Sequence, residues 1–225
     1  FFVGRSWATD EEIVALFSRI AENVSFALDN FERGKEKARA DEQRERVTRM
    51  FAALSATSEA ITRAKSRAEL FELVCEAAVV GGDFTSTAIV LQRSGAKFLD
   101  NMAAAGPDRE RAMAVKLSAN ASVPEGQGIT GTAMRTRQPC ISNDYLRDFG
   151  ASGHFYQVIR DSGTRSGAAL PLLKEGSAIG ALILLSSELD AFVPELIGLL
   201  ERLAENVSFA LDNFERGKEK ARADE

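Results

Sequence analysis

Apolar residues at Ile13, Phe17, Ile20, Val24, Ala27 and Phe31 alternate spacings of four and three, which draws one seam along a helix. Thr9-Asp10-Glu11-Glu12, just before it, has the form of a capping box, with a hydroxyl at the N-cap and a carboxylate three residues on. From Glu32 to Arg49 the seam dissolves into mixed charge, as on a solvated helix. It resumes at Val47, Met50, Leu54, Thr57 and Ile61. The pattern predicts a long connecting helix interrupted at Gly34. After Ile61 the pattern changes. Ser66-Arg67-Ala68-Glu69 is a second capping box, opening a helix that turns Leu70, Leu73, Val74 and Ala77 inward and ends at Gly81-Gly82. Thr87–Gln92 and Lys97–Ala103 read as a hairpin across Ser94-Gly95, with Ala114–Leu117 as a short third strand. A glycine-rich corner at Val123–Gly128 leads into a helix at Ile129–Arg137 and a strand at Cys140–Ser142. A long loop runs from Asp144 to Gly163. Gly167–Leu173 and Ala178–Ser186 form an apolar hairpin, and Pro194 occupies the first turn of a last helix. About six mostly antiparallel strands flanked by terminal helices predict an α+β fold.

That last helix repeats the first. Residues 21–42, AENVSFALDNFERGKEKARADE, recur letter for letter at 204–225, a spacing of one ordinary domain plus a connector. Upstream of the identity, glutamate, leucine and arginine stay in register at Glu12/Glu195, Leu16/Leu199 and Arg19/Arg202. The reading is a tandem array: 1–42 as the tail of a preceding domain with its linker, 43–217 as one full domain, and 218–225 as the start of the next linker. Duplication of a bare helical segment is the alternative. The seam at Ile13, Phe17, Ile20 and Val24, repeated at Leu199, Leu203, Val207, Leu211 and Phe214, is expected to pair two copies into a parallel homodimer. The connecting helix is then either a rod that transmits register between domains or an inert linker.

Composition narrows the partners. Hydrophobic residues make up 45% and charged residues 27%, as in a soluble globular protein, and the net charge of −5 with no clustered basic surface argues against nucleic acid. No stretch approaches a membrane span. Two cysteines, Cys75 and Cys140, do not make a disulfide framework in a chain this long, which suits a reducing compartment and a cytoplasmic protein.

Motif chemistry is sparse. Gly126-x-Gly128-x-x-Gly131 matches the dinucleotide fingerprint, with Asp148 downstream, but the polar SANASVPE before it is no buried strand, so the glycines read as a tight corner. Gly81-Gly82-Asp83-Phe84 falls one residue short of a cyclase signature and lies between helix and strand, so it is set aside. Nothing local to Cys140 supplies the cation or helix N-terminus that activates a thiol. His154 is the single histidine, so no zinc or haem site assembles around it. No nucleophile, base and acid set emerges, and the fragment is read as non-enzymatic with no cofactor assigned.

Six elements in order carry a resemblance: Gly126-Gln127-Gly128-Ile129-Thr130-Gly131, Gln138 to Asp144, Thr164-Arg165-Ser166, Leu170-Pro171-Leu172, Ile179-Gly180-Ala181-Leu182 and Leu203-Ala204-Glu205-Asn206. Together they resemble GAF domains over about residues 47–214. The resemblance implies a central antiparallel sheet with the terminal helices on one face and a ligand cavity on the other. It implies a cavity walled by Ile129, Thr132, Ile141, Asn143, Asp144, His154, Phe155, Arg165 and Ser166, with the Asp144–Gly163 loop above it. Arg165 is either the cation for an anionic ligand or a pin to Asp144 or Asp161. The implied function is a regulatory sensory module binding a small molecule. The alternatives are a ligand-free dimerisation and coupling module or an enzyme such as free methionine sulfoxide reductase, whose clustered cysteines are missing here. The charged continuation of the FALDNFER helix also resembles GAF modules of bacterial cyclic di-GMP signalling proteins. The cyclase or phosphodiesterase output domain this implies lies outside the chain.

Overall fold

The structure, a computed structural model, describes residues 10–150 and 153–223. The Thr9 cap and the Thr57 side chain lie outside the described residues. The chain divides into two compact units, Phe1–Arg44 and Glu45–Glu225. Helix α1 is Asp10–Arg63. It passes through Gly34 without a break, contrary to the expected interruption: nothing lies within 4 Å of a Cβ there, so glycine costs helix propensity, about 1 kcal/mol, but no contact.

In the first unit α1 is exposed from Ile13 to Glu42, including Ile13, Phe17, Ile20, Val24, Leu28 and Phe31. The second unit is built on a five-stranded antiparallel sheet. Its strands are β1 (Ser86–Gln92), β2 (Leu99–Ala105), β3 (Cys140–Ser142), β4 (Ser166–Lys174) and β5 (Ser177–Ser186), in the order β2-β1-β5-β4-β3. The sixth strand expected at Ala114–Leu117 is absent. Helix α3 (Arg109–Ala114) fills part of it, and the extended residues beyond give the sheet one bond, Leu99 N to Leu117 O at 2.8 Å. The Asn101 side-chain amide donates to Met113 O and Val115 O at 2.8 and 3.0 Å, so a side chain takes up the carbonyls a strand ladder would use.

One face of the sheet carries α2 (Arg67–Gly82), α7 (Pro194–Ala223) and the end of α1. The main core lies there, with Met50, Phe71, Val74, Leu170, Leu182, Leu184, Leu200 and Val207 essentially inaccessible. Ser66 caps α2 as its spacing implies, accepting from Glu69 N at 3.2 Å, while Glu69 reaches back to Lys65 N at 2.9 Å. α7 is fixed by apolar burial, by pairing of Glu215 with Lys174 and Arg67, and by one bond to the sheet backbone. At the register shift after Leu172 the Leu173 N–H leaves the ladder, and Ser208 Oγ accepts it at 3.0 Å. Arg46 of α1, 4% exposed, pairs with Glu188 at 2.9 Å in the segment between β5 and α7.

Candidate functional site

The opposite face of the sheet is covered by α4 (Ile129–Thr136), α5 (Tyr145–Phe149) and α6 (Tyr156–Asp161). The expected loop from Asp144 to Gly163 therefore holds two short helices. α4 is set by the glycine corner. A Cβ on Gly126 would stand 1.9 Å from Asn120 O, and one on Gly131 would stand 2.2 Å from Gly126 O, so backbone packs on backbone where a fingerprint would leave room for phosphate. Arg135 braces the corner by donating to Gly126 O at 2.7 Å and Ala119 O at 3.1 Å.

Between these helices and the sheet lies a cavity of about 70 Å³. β1 and β5 supply its floor through Ala88, Ile183 and Leu185. Val115 and Leu117, Ile129 of α4, Tyr145 of α5, and Phe155 with Ile159 of α6 supply the walls. Ser86, Thr130, Tyr145 and Glu125 are its polar fringe, and Glu125 is the charged residue among the described lining residues. Burial pushes the Tyr145 hydroxyl up to about 12, although the Ile129 backbone N–H favours the phenolate, so it stays a neutral group at ordinary pH. A second hollow of about 90 Å³ lies beside the first, lined by Gln127, Leu146, Phe149, His154 and Tyr156. Gly128, Tyr145 and Phe155 line both hollows. The Phe155 ring packs where a Gly128 side chain would be, since a Cβ there would approach it to 2.9 Å. His154 meets that ring edge-on at 4.9 Å and is itself exposed.

Of the expected cavity residues, Ile129 and Phe155 line the main cavity, and His154 lines its neighbour. The others have different work. Ile141 packs into the core on the helical face, because side chains alternate along a strand and Cys140 takes the cavity side of β3. Asn143 accepts from Phe192 N at 3.0 Å and donates to Phe192 O at 3.2 Å, clamping the approach to α7. Asp144 caps α5 through Arg147 N at 3.3 Å. Thr132 donates to Gly128 O at 3.1 Å, within its own helix. Ser166 is buried and donates to Glu188 O at 2.7 Å. Arg165 turns an exposed side chain outward while its backbone bonds Ser186 and Tyr145. Among the lining residues the sequence reading missed are Tyr145, Ile159, Ile183 and Leu185. Their signal was the apolar alternation of β5 and an i, i+4 Tyr/Phe pair at 145 and 149, whose rings stand 4.7 Å apart.

Both thiols are held protonated, chiefly by burial: Cys75 is pushed up to about 12, and Cys140 is raised. They belong to clusters on opposite faces of the sheet. No group of residues arranged to hold a metal ion occurs among the described residues, and no described helix is long and apolar enough to cross a membrane.

The profile of the GAF domain family matches residues 64–212. The chain belongs to the GAF family. Such domains are typically regulatory sensory modules of signalling proteins, and the match takes in all five strands of this GAF domain. Among solved structures it is similar to the GAF domain of a phosphoenolpyruvate-protein phosphotransferase from Coxiella burnetii, at 13% identity and a TM-score of 0.64, covering 76% of this chain and 98% of that one. It is similar to a free methionine-R-sulfoxide reductase from Neisseria meningitidis at 15% identity and 0.61, covering 75% and 91%. It is also similar to a domain of a sensor histidine kinase protein from Sinorhizobium meliloti at 18% identity and 0.54, covering 70% and 99%. These likenesses establish the fold. No curated protein sequence matches this chain. The α7 half of the expected dimer seam needs correction. Leu203, Val207 and Leu211 are at most 1% exposed and Leu199 is 9% exposed, all within the domain's own core, so they have no face to offer a partner. Phe214 packs partly against the same core.

Proposed function

We propose that this GAF domain is a sensory module that takes a small, mainly apolar, neutral or cationic molecule in the cavity between the sheet and α4–α6. The observation that carries this reading is the lining itself: aliphatic and aromatic side chains from several elements, a neutral tyrosine hydroxyl, and one carboxylate at the fringe. No lysine or arginine lines it among the described residues, which weighs against the anionic ligand that Arg165 had suggested. Phe155 sets the size. The cavity and its neighbour together match the ~150 Å³ that holds benzene in an apolar protein cavity, so a ligand of that size displaces the Phe155 ring and occupies both.

Occupancy reaches the helices by a short route. Ile183 and Leu185 of β5 touch the cavity, and β5 runs into the segment where Ser166 binds Glu188 O and Glu188 pairs with the buried Arg46 of α1. A shift of β5 therefore bears on α1. Two protonated thiols on opposite faces of the sheet support a binding role over thiol redox chemistry, which needs a thiolate. The setting is a signalling protein, with an output domain for cyclic di-GMP as one form it takes, and the cytoplasm as its compartment. The test is native mass spectrometry of the purified chain, followed by a thermal-shift screen of small aromatic and aliphatic amines, alcohols and acids. A stabilising amine or alcohol whose effect is lost in Ile183→Trp supports the proposal. Acids alone binding, or no ligand affecting either protein, leaves the coupling-module reading, in which the cavity is only packing.

A further inference from the structure

Residues 21–42 and 204–225 are identical in sequence, yet one copy is bare and the other is seated on a sheet. The match extends upstream of the identity. Ile13, Phe17, Ile20, Val24 and Leu28 occupy the positions at which α7 buries Leu196, Leu200, Leu203, Val207 and Leu211. The first set is 41–66% exposed, and the second is at most 1% exposed.

Two features distinguish what would cover this face. With Leu16 and Ala21 beside Phe17 and Ile20, the apolar stripe is broad, as on a helix laid on a sheet, and wider than the a/d seam of a two-stranded coil. Ser25 also sits where Ser208 stands in α7. Ser208 accepts the Leu173 N–H that a register shift releases from β4, so a serine at this position serves a sheet with a free backbone donor. The outward position agrees as well: Phe26 and Phe209 are 68% and 66% exposed, so the copies share the face turned to water.

From this we infer that Ile13–Phe31 is a second closing helix, built to seat on the helical face of another GAF-type sheet as α7 seats on β4 and its neighbours. The sheet of this chain is not the occupant, because α7 already fills that seat. The inference stands apart from the ligand reading, since it concerns the other face of the fold.

The experiment supplies the missing sheet. A copy of residues 43–193, which lacks α7, is fused directly before Asp10 of the full chain, and hydrogen exchange is read by mass spectrometry in fused and unfused proteins. The expected result is that amides of Ile13–Phe31 exchange at least about tenfold more slowly in the fusion, because exchange then requires undocking from a folded core. Val24→Asp with Leu28→Asp in the fusion should return them to the fast rate. Equal rates in fused and unfused chains overturn the proposal, whether or not the added unit folds. Protection already present in the unfused chain, with a dimeric mass abolished by Ile20→Glu, assigns the face to a second copy and overturns it too.

Discussion

The same residues occupy two environments in this chain. Val24 is 52% exposed and Val207 is inaccessible; Leu28 is 58% exposed and Leu211 is inaccessible. Both copies are helical over their described residues, so the local signal, with its mixture of good helix formers and an apolar stripe, acts in the same way twice. What differs is the surface opposite the stripe. α7 faces Leu170, Leu172 and Leu182 of the sheet together with Phe71 and Val74 of α2, whereas the first copy has no such surface within its unit. The energy of a residue is therefore a property of its seat, and paired substitutions at matched positions read that seat directly.

The largest contrast is expected from a buried charge. Val207→Asp should cost 4 kcal/mol or more, enough to unfold the second unit, because a carboxylate would be desolvated among leucines, while Val24→Asp should stay within about 0.5 kcal/mol. Urea denaturation followed by tryptophan-independent probes such as circular dichroism checks both; comparable losses would erase the comparison. Truncation gives the next step. Leu211→Ala should cost about 2–5 kcal/mol and Leu28→Ala less than about 0.5 kcal/mol by the same measurement.

Alkali should act on the second unit, through a buried group on each face of its sheet. Cys75 lies in the core beneath the helices with its folded value near 12 against 9.0 unfolded, so the folded state holds the proton more tightly. Stability is then intact below about pH 9 and falls between about 9 and 12, by at most about 1.4 kcal/mol per pH unit for this thiol. Cys75→Ala should flatten that limb while lowering stability at neutral pH by a cavity penalty. Tyr145, raised from 10.0 to about 12, adds a fall of the same sign from about pH 10. A stability that rises above pH 9 would contradict both burials.

Removing Glu188 leaves Arg46 buried without its partner. Because Glu188 is itself about half exposed, the loss in Glu188→Ala is expected at about 1–2 kcal/mol, below that of a fully buried pair. If the pair also links β5 to α1, the variant should weaken the effect of any cavity ligand on exchange in Glu45–Leu54. The smallest effect is the most exacting check of the copies. Phe26→Ala and Phe209→Ala, both at exposed positions, should agree with each other within about 0.5 kcal/mol.

Sequence alone carried α1, α2, α4 and α7, four of the five strands nearly to their ends, the Ser66 cap and the α+β class, because periodicity and turn residues are local signals, while the short helices α3, α5 and α6 were read as strand or loop. It also carried the glycine corner, where Gly126 and Gly131 leave no room for a Cβ. The site was less legible. The family resemblance put Ile141 on the wrong face of β3, and polar residues that looked like ligand contacts, Asn143, Asp144 and Ser166, are spent on capping and clamping the backbone. Buried polar groups must be paired, and the partner is set by which loops meet, which a linear reading does not contain. The repeat was visible as a repeat, and its helical form follows from it. Only the tertiary structure decided that one copy closes a core and the other stands open, because burial depends on the opposing surface, and an identical sequence specifies only its own side of the contact.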